Sequence, residues 1–443
     1  MNAEETFAWL DRVAGKGSAL GLERMRVLVN VLGDPQNRLK IVHIAGTNGK
    51  GSVMTFLEHT LLRAGYHVGR YLSPAVFGYA EKFRLDEKEI REEEFCTLAG
   101  EVRAACERME AAGEETPTIF EVETALAFLF FERNACDVVL LETGMGGETD
   151  ATNVADATIL EIFSSISADH MEFLGDTVEK IAAVKAGILK RGSIAVSAPQ
   201  SPGVAAVLQS RANALGVPLT FADPARIREV CYGLTAQRVC YETAVSFGTK
   251  TRGGRLHDLT IGMGGNWQVT NAITALEAVE ALRSLGFALG EEALRQGFEE
   301  AFIGGRFEVV QTEPTVIMDG AHNPEAVLGL KASLAASFPP QTRFLFVMGV
   351  FADKDYREEI ALMAPLARRI YTVQTKDNAR ALDADKLAQA VRKVNPNVVS
   401  VGDVPRALSM ALAEAGKNDV ILLFGSLSWL GEARAFFDGR FQS

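Results

Sequence analysis

Cysteine is scarce and odd in number. The five residues Cys96, Cys106, Cys136, Cys231 and Cys240 contain no CxxC pair. This argues against a disulfide scaffold or a structural zinc site and makes the cytoplasm the expected compartment. A basic surplus is also missing: 45 Lys and Arg face 57 Asp and Glu, for a net charge of −12. A general nucleic-acid or anionic-membrane binder needs a basic face, so neither partner is expected. Anionic substrates must instead be met by local positive sites. No apolar run reaches membrane-spanning length. The N-terminus MNAEETFAWLDRV carries acids and lacks the apolar core of a secretory leader. Repeats and low-complexity segments are absent. What is present is a chain of 443 residues, 48% hydrophobic, which is enough for two or three domains with real cores.

The chain is organised around Ile41–Ser52, IVHIAGTNGKGS. Ile41–Ala45 reads as a short buried strand, and Val53, Phe56, Leu57, Thr60, Leu61 and Ala64 fall on one face of a following helix. Between them lie Gly46, Thr47, Asn48, Gly49, Lys50, Gly51 and Ser52. Strand, glycine-rich turn, lysine, hydroxyl and helix make the layout of a phosphate-binding loop. Its backbone N–H groups close around phosphate oxygens, and the helix N-terminus adds partial positive charge. Lys50 would reach the terminal phosphates, and a hydroxyl can ligate magnesium. The match to G-x-x-x-x-G-K-[ST] is imperfect, because Gly51 separates Lys50 from Ser52. A glycine-rich turn with an exposed lysine is the plainer alternative.

Further strands end in chemistry. Asp137–Glu142 is a buried strand closing on an acid, at the carboxyl end where open α/β sheets bind ligands. Three glycines in Gly144–Gly147 imply a backbone lying close to a ligand or another chain segment, and Asp150, Thr152 and Asn153 crowd the same loop. Thr158–Ile166 leads into Asp169-His170, where the histidine either contacts metal or substrate or is structural. Thr177–Leu189 reads as a helix in which Lys185 is not plainly on the solvent face. Glu121 and Glu123 open a helical stretch, Thr118–Phe131, where capping is their plain role. Residues 194–265 are expected to decorate the first domain with antiparallel structure. Asn266–Leu285 is a strong helix that puts Gln268 and Asn271 on one face. After Ile303-Gly304-Gly305-Arg306, a candidate linker, strands and helices alternate in a second α/β unit with a mainly parallel sheet. Its polar turns, at Asp319–Pro324, Asp353–Asp355 and Gly425–Ser428, follow strands.

Taken in order, these segments resemble the folylpolyglutamate synthase/dihydrofolate synthase family of the Mur ligase superfamily. The likeness spans nearly the whole chain. It rests on GTNGKGS at Gly46–Ser52, Ser73-Pro74, the GxGGxxDATN type at Gly144–Asn153, Asp169-His170 and KAGI at Lys185–Ile188. It continues through QxxNAxTA at Gln268–Ala275, GRFE at Gly305–Glu308, DGAHNP at Asp319–Pro324, DKD at Asp353–Asp355 and Gly425-Ser426. Two departures stand out: Glu148 where the family often has arginine, and Ala75 where it often has histidine.

The resemblance implies an α/β protein: a P-loop-type nucleotide-binding domain with a mostly parallel sheet at residues 1–302, and a smaller Rossmann-like glutamate-ligase domain at 303–443. It implies an ATP-dependent ligase. A folate carboxylate is phosphorylated, then attacked by the amine of L-glutamate. By similarity, Ser73, Glu142 and His170 would ligate Mg2+, with Ser52 on the phosphate loop. Lys185 matches a lysine that can be carbamylated. Asp319 and His322 would face the nucleotide and the amino acid, and Asn271 and Arg306 would contact ATP. Dihydropteroate is expected as a second acceptor, held by Phe77, Tyr79 and Phe83 with Lys82 and Arg84 for its charge. Alternatively, these aromatics only pin their loop to its own domain. A monomer is expected. The competing readings are a peptidoglycan-precursor Mur ligase and a nucleotide-dependent switch. The first is disfavoured because only about 40 residues precede the loop, too few for an additional substrate domain.

Overall fold

The computed structural model describes residues 1–15, 17, 21–169, 171–244, 254–376 and 378–441. Among them, the strands form three sheets. The first contains β1 (Ile41–Ala45), β2 (Val68–Tyr71), β3 (Phe83–Leu85), β4 (Lys88–Glu89), β5 (Val138–Glu142), β6 (Thr158–Phe163), β7 (Ile194–Ser197) and β8 (Leu219–Phe221), in the order β4-β3-β2-β5-β1-β6-β7-β8. β2, β5, β1, β6, β7 and β8 are parallel, and β3 and β4 add an antiparallel edge. β1 and β5 are buried throughout and apolar nearly end to end, as central parallel strands covered on both faces should be. The expectation for 194–265 therefore needs correction. β7 and β8 extend the parallel sheet, and only β9 (Ile227–Cys231), β10 (Gln237–Glu242) and β11 (Leu256–Ile261) make an antiparallel sheet. The end of the strand expected over Arg238–Phe247 lies outside the described residues.

The helix after the loop, Lys50–Arg63, is buried on far more than one face. It lies between the sheet and the helices Trp267–Ser284 and Glu291–Glu300, so Met54, Thr55 and Glu58 are as buried as the apolar stripe. Glu58 Oε2 accepts from Arg70 of β2 at 2.8 Å, a buried pair that a helical pattern in the sequence does not show. Helix Ile119–Arg133 starts with a capping box, in which the Thr118 hydroxyl accepts the Glu121 N–H and Glu121 accepts the Thr118 N–H.

The third sheet has the order β12 (Glu308–Thr312), β13 (Thr315–Met318), β17 (Val420–Phe424), β14 (Phe344–Met348), β15 (Ala367–Val373), β16 (Val398–Gly402). β12 is antiparallel and the rest are parallel. Separate apolar cores line its two faces. Ile303–Phe307 carries the chain from the first α/β body to this one.

Candidate active site

The carboxyl ends of β1, β5 and β6 face the carboxyl ends of β13 and β14 across the junction. Gly46–Gly49 turns the chain out of β1. Gly49 sits at φ +94°, and a Cβ there would lie 2.3 Å from the Asn271 Oδ1, so both conformation and space demand glycine. Asn271 is held in that place by donating to Gln268 Oε1 at 2.8 Å, the pairing expected from their spacing.

Lys50 is not an exposed loop lysine. Its side chain is 15% exposed, and its ammonium lies 3.5 Å from Glu142 and donates to the Gly46 carbonyl at 3.2 Å. Glu142 closes β5 and is nearly buried. Burial pushes its carboxyl up from the ordinary value, while Lys50, then Arg306, and the Ser73 backbone pull it back. Ser73 thus stands beside Glu142, at the end of β2. Lys185, in the last turn of helix Val178–Lys185, is 4% exposed and donates to the same Gly46 carbonyl at 2.9 Å. Burial, reinforced by Lys50, lowers its amine to about 7. The glycine loop after β5 makes this burial possible, since a Cβ on Gly147 would meet Lys185 backbone at 2.8 Å. Ser52 is buried in the first turn of its helix. His170 lies outside the described residues.

The second body brings Arg306, Asp319 and His322 to this cluster. Asp319 is buried, and both its oxygens are taken by backbone: Oδ2 accepts from Phe307 at 2.7 Å and Oδ1 from Ala321 at 2.8 Å. Burial raises its carboxyl to about 6, against the pull of Arg306. It therefore braces the linker that carries Arg306. His322 Nδ1 donates to the Gly320 carbonyl at 2.7 Å, which leaves Nε2 as an acceptor. Burial lowers its pKa to about 4, so it is neutral near pH 7.

Sequence reading missed the contacts that join the two bodies. Lys354 of the Asp353–Asp355 turn pairs with Asp169 at 2.6 Å, each 12% exposed. Asn48 exchanges amide hydrogen bonds with Asn323, and Glu325 accepts from Asn48 and Ser165. The one local signal was Asn323-Pro324, a helix N-cap followed by proline at N1, which places Glu325 in a first turn. The aromatic expectation fares differently. Phe83 is fully buried in the core, and Tyr79 donates to Glu123 at 2.7 Å. Glu123 also takes Lys82 at 2.6 Å and is no mere cap. Arg84 donates to the Glu87 carbonyl. Phe77 stands at the junction, its ring over Arg434 at 5.2 Å and against Gly304.

The donor chemistry around Glu142 suits magnesium. A buried carboxylate is a hard oxygen ligand, and the Lys50 ammonium already occupies the place of a cation beside Glu142. Among the described residues no cluster of three His, Cys, Asp or Glu side chains forms a metal cage. One carboxylate completed by water and phosphate oxygens is the usual magnesium arrangement.

The Mur ligase middle domain family matches residues 44–279, and the Mur ligase glutamate ligase domain family matches residues 305–427. The chain is 32% identical to a dihydrofolate synthase/folylpolyglutamate synthase of Bacillus subtilis (strain 168), covering 97% of this chain and 98% of the relative. It is also 32% identical to the enzyme of the same name from Escherichia coli (strain K12), covering 98% and 95%. Mycobacterium tuberculosis folylpolyglutamate synthase, solved in complex with ADP, superposes with a TM-score of 0.88 at 28% identity, covering 98% and 99%. The likeness to these relatives runs over the full length of both α/β bodies, and the chain belongs to the folylpolyglutamate synthase/dihydrofolate synthase family of the Mur ligase superfamily.

Proposed function

We propose that this chain is an ATP-dependent ligase that joins L-glutamate to folates through an acyl phosphate, and that the same site also uses dihydropteroate. The observation that carries the reading is the meeting of Lys50 and Lys185 on the Gly46 carbonyl, with Glu142 beside Lys50 and with Arg306 close to both Glu142 and His322. Residues 1–302 act as the ATP-binding domain and 303–443 as the glutamate-ligase domain, working as a monomer in the cytoplasm.

In the first step an acceptor carboxylate oxygen attacks the γ-phosphorus of ATP. The bond to the β,γ-bridging oxygen breaks and ADP leaves. Phosphoryl transfer of this kind is governed by positioning and by cations at the developing charge. Lys50, the N–H groups of Gly49–Ser52 and Arg306 supply that environment, with Asn271 at the loop's edge. Glu142, Ser73, His170 and Ser52 would hold magnesium, which when bound neutralises phosphate charge. In the second step the glutamate nitrogen attacks the acyl carbon, the carbon–oxygen bond to phosphate breaks and phosphate leaves. The neutral His322, with Nε2 free to accept, receives a hydrogen bond from the incoming amine, and the released proton passes to solvent.

Lys185 is suited to carbamylation. A buried amine lowered to about 7 is substantially neutral at working pH. The neutral nitrogen attacks carbon dioxide and loses one proton, giving an anionic carbamate beside Lys50. Bifunctionality rests on the shared bond: both acceptors present a carboxylate to the same ATP site. The test is glutamate-dependent ADP release with tetrahydrofolate and with dihydropteroate side by side. Turnover with both is expected. Turnover with tetrahydrofolate alone removes the dihydropteroate reaction, and ADP release without glutamate or acceptor favours a nucleotide switch.

A further inference from the structure

Four side chains outside the reacting cluster meet across the junction. Glu325, in the first turn of helix Pro324–Ser337, accepts the Ser165 hydroxyl on one oxygen at 2.6 Å and the Asn48 amide on the other at 2.6 Å. Asn323 caps the same helix, its Oδ1 accepting from Ala326 at 3.0 Å. It also trades hydrogen bonds with the Asn48 amide at 3.1 and 3.3 Å. Ser165 holds the phosphate loop independently, because its carbonyl accepts from the N–H groups of Thr47 at 2.7 Å and Asn48 at 3.2 Å. Glu325 therefore grips the loop twice, directly through Asn48 and indirectly through the segment on which the loop's backbone rests. It lies three residues beyond His322 in the same turn and helix start. The contact thus fixes the spacing between the loop that carries Lys50 and the turn that carries His322.

We propose that Glu325 and Ser165 are positioning residues that register the Asp319–Pro324 turn on the phosphate loop, and so set where the glutamate amine enters relative to the acyl phosphate. This rests on the ligase reading above. The two steps depend on registry unequally. Acyl phosphate formation is directed chiefly by the first domain, with Arg306 delivered by a linker that Asp319 and the Phe307 N–H hold in place. Attack by glutamate needs an amine held by the second domain to reach a carbon held by the first. Carboxylate acceptors make stronger hydrogen bonds than neutral ones. These are nonetheless exposed, so their loss should loosen the registry without opening the junction. Lys354 and Asp169 remain as a second tie.

The double variant Ser165→Ala/Glu325→Ala separates the steps. Glutamate ligation to tetrahydrofolate is measured beside formation of the hydroxamate when hydroxylamine replaces glutamate. Hydroxylamine is small and needs no seat on the second domain. The expected result is a fall of about tenfold or more in kcat/KM for glutamate, with hydroxamate formation within about threefold of wild type and the KM for ATP unchanged. Glu325→Gln keeps an acceptor for Asn48 and a group for Ser165, and should restore most of the glutamate reaction. An equal fall in both reactions, an unchanged glutamate reaction, or a Gln variant as poor as the double variant would overturn the proposal. If wild type itself forms neither product, the ligase reading fails first, and that failure is visible without any variant.

Discussion

The phosphate loop and the loop after β2 are both short, both follow a parallel strand, and both looked like binding segments in the sequence. They turn out differently. At Gly46–Ser52 each residue type does what its chemistry suggests locally: Gly49 takes a positive φ against Asn271, and Lys50 turns its cation toward the acid ending β5. At Ser73–Arg84 the aromatics looked like a stacking platform, yet Phe83 is core, Tyr79 is tied to Glu123, and Phe77 packs on the second domain. The difference is one of range. A glycine's φ and a strand-end position are decided within a few residues. Where an aromatic ring goes depends on what arrives from elsewhere in the chain, here from Glu123, Gly304 and Arg434.

The sharpest break of the first half of this comparison is Lys50→Ala. If Lys50 is the cation at the phosphates, its removal should lower glutamate-dependent ADP release on the order of a thousandfold. Lys50 is also the partner of the buried Glu142, so the variant leaves that carboxylate without its neighbouring cation. Turnover within tenfold of wild type would make the loop a structural turn after all.

Lys185 gives the next largest effect. Its amine is lowered from 10.5 to about 7, so the reactive neutral form is the minority below pH 7 and dominates above it. Activity of carbon-dioxide-depleted enzyme should therefore recover on adding bicarbonate, and recover more fully at pH 8 than at pH 6. Lys185→Ala should lose about ten- to a hundredfold in kcat and show no bicarbonate response. A bicarbonate effect that persists in the variant would assign the carbamate elsewhere. The lowered amine also has a stability consequence. With a folded pKa below the unfolded one, the buried amine favours unfolding as pH falls below 10.5, and the penalty levels off below about 7.

These two residues also mark how far the sequence could be read. β1, the loop, the acid ending β5 and the restart of strands after Gly305 were legible, because strand periodicity, glycine and strand-end acids are local signals. Lys185 was half legible: its neighbours Val184 and Ile188 hinted that it did not face solvent, but its burial comes from Gly147 of a distant loop packing on its backbone. The junction was hardly legible. Glu325 and Ser165 are 160 residues apart, and nothing in either segment names the other. The assignment of β7 and β8 failed for a similar reason, since short strands look alike until their pairing partners are known.

The tie between Tyr79, Lys82 and Glu123 offers a milder perturbation of the second loop. Lys82 and Glu123 are both largely buried, at 13% and 6% exposure. Lys82→Ala leaves a buried carboxylate with only the Tyr79 hydroxyl, and breaking such a pair costs about 3 kcal/mol or more. Denaturant unfolding should show that loss, while Lys82→Ala/Glu123→Leu should recover much of it. If Lys82→Ala instead leaves stability unchanged and weakens only acceptor binding, Lys82 is a ligand for the acceptor's charge and the loop is the binding platform it resembled.

Phe77 and Phe83 divide the aromatic question between them, and the smallest effect is the most telling. Phe83 is fully buried among Tyr71, Tyr79 and Phe95, so Phe83→Ala should destabilise by about 3–5 kcal/mol through lost burial and the cavity left behind. Phe77 is 38% exposed and holds no core place. Phe77→Ala should change stability by less than about 1 kcal/mol. What it loses is a contact of the second domain: the ring lies under the Arg434 guanidinium, Arg434 is paired with Glu308, and Glu308 accepts the Gly305 N–H at 2.9 Å, next to Arg306. A stacking cation of this kind contributes about 0.5–1 kcal/mol at an exposed site, or roughly a two- to fivefold change. That change should fall on kcat, because Arg306 is less firmly held, and only weakly on the acceptor's KM. Arg434→Ala should reproduce it with a larger loss, because Glu308 also loses its partner, and the double variant should be no worse than Arg434→Ala alone. If Phe77→Ala raises the acceptor KM tenfold while Arg434→Ala leaves it unchanged, the ring stacks on the acceptor, and the contrast between the two loops narrows to Tyr79 and Phe83.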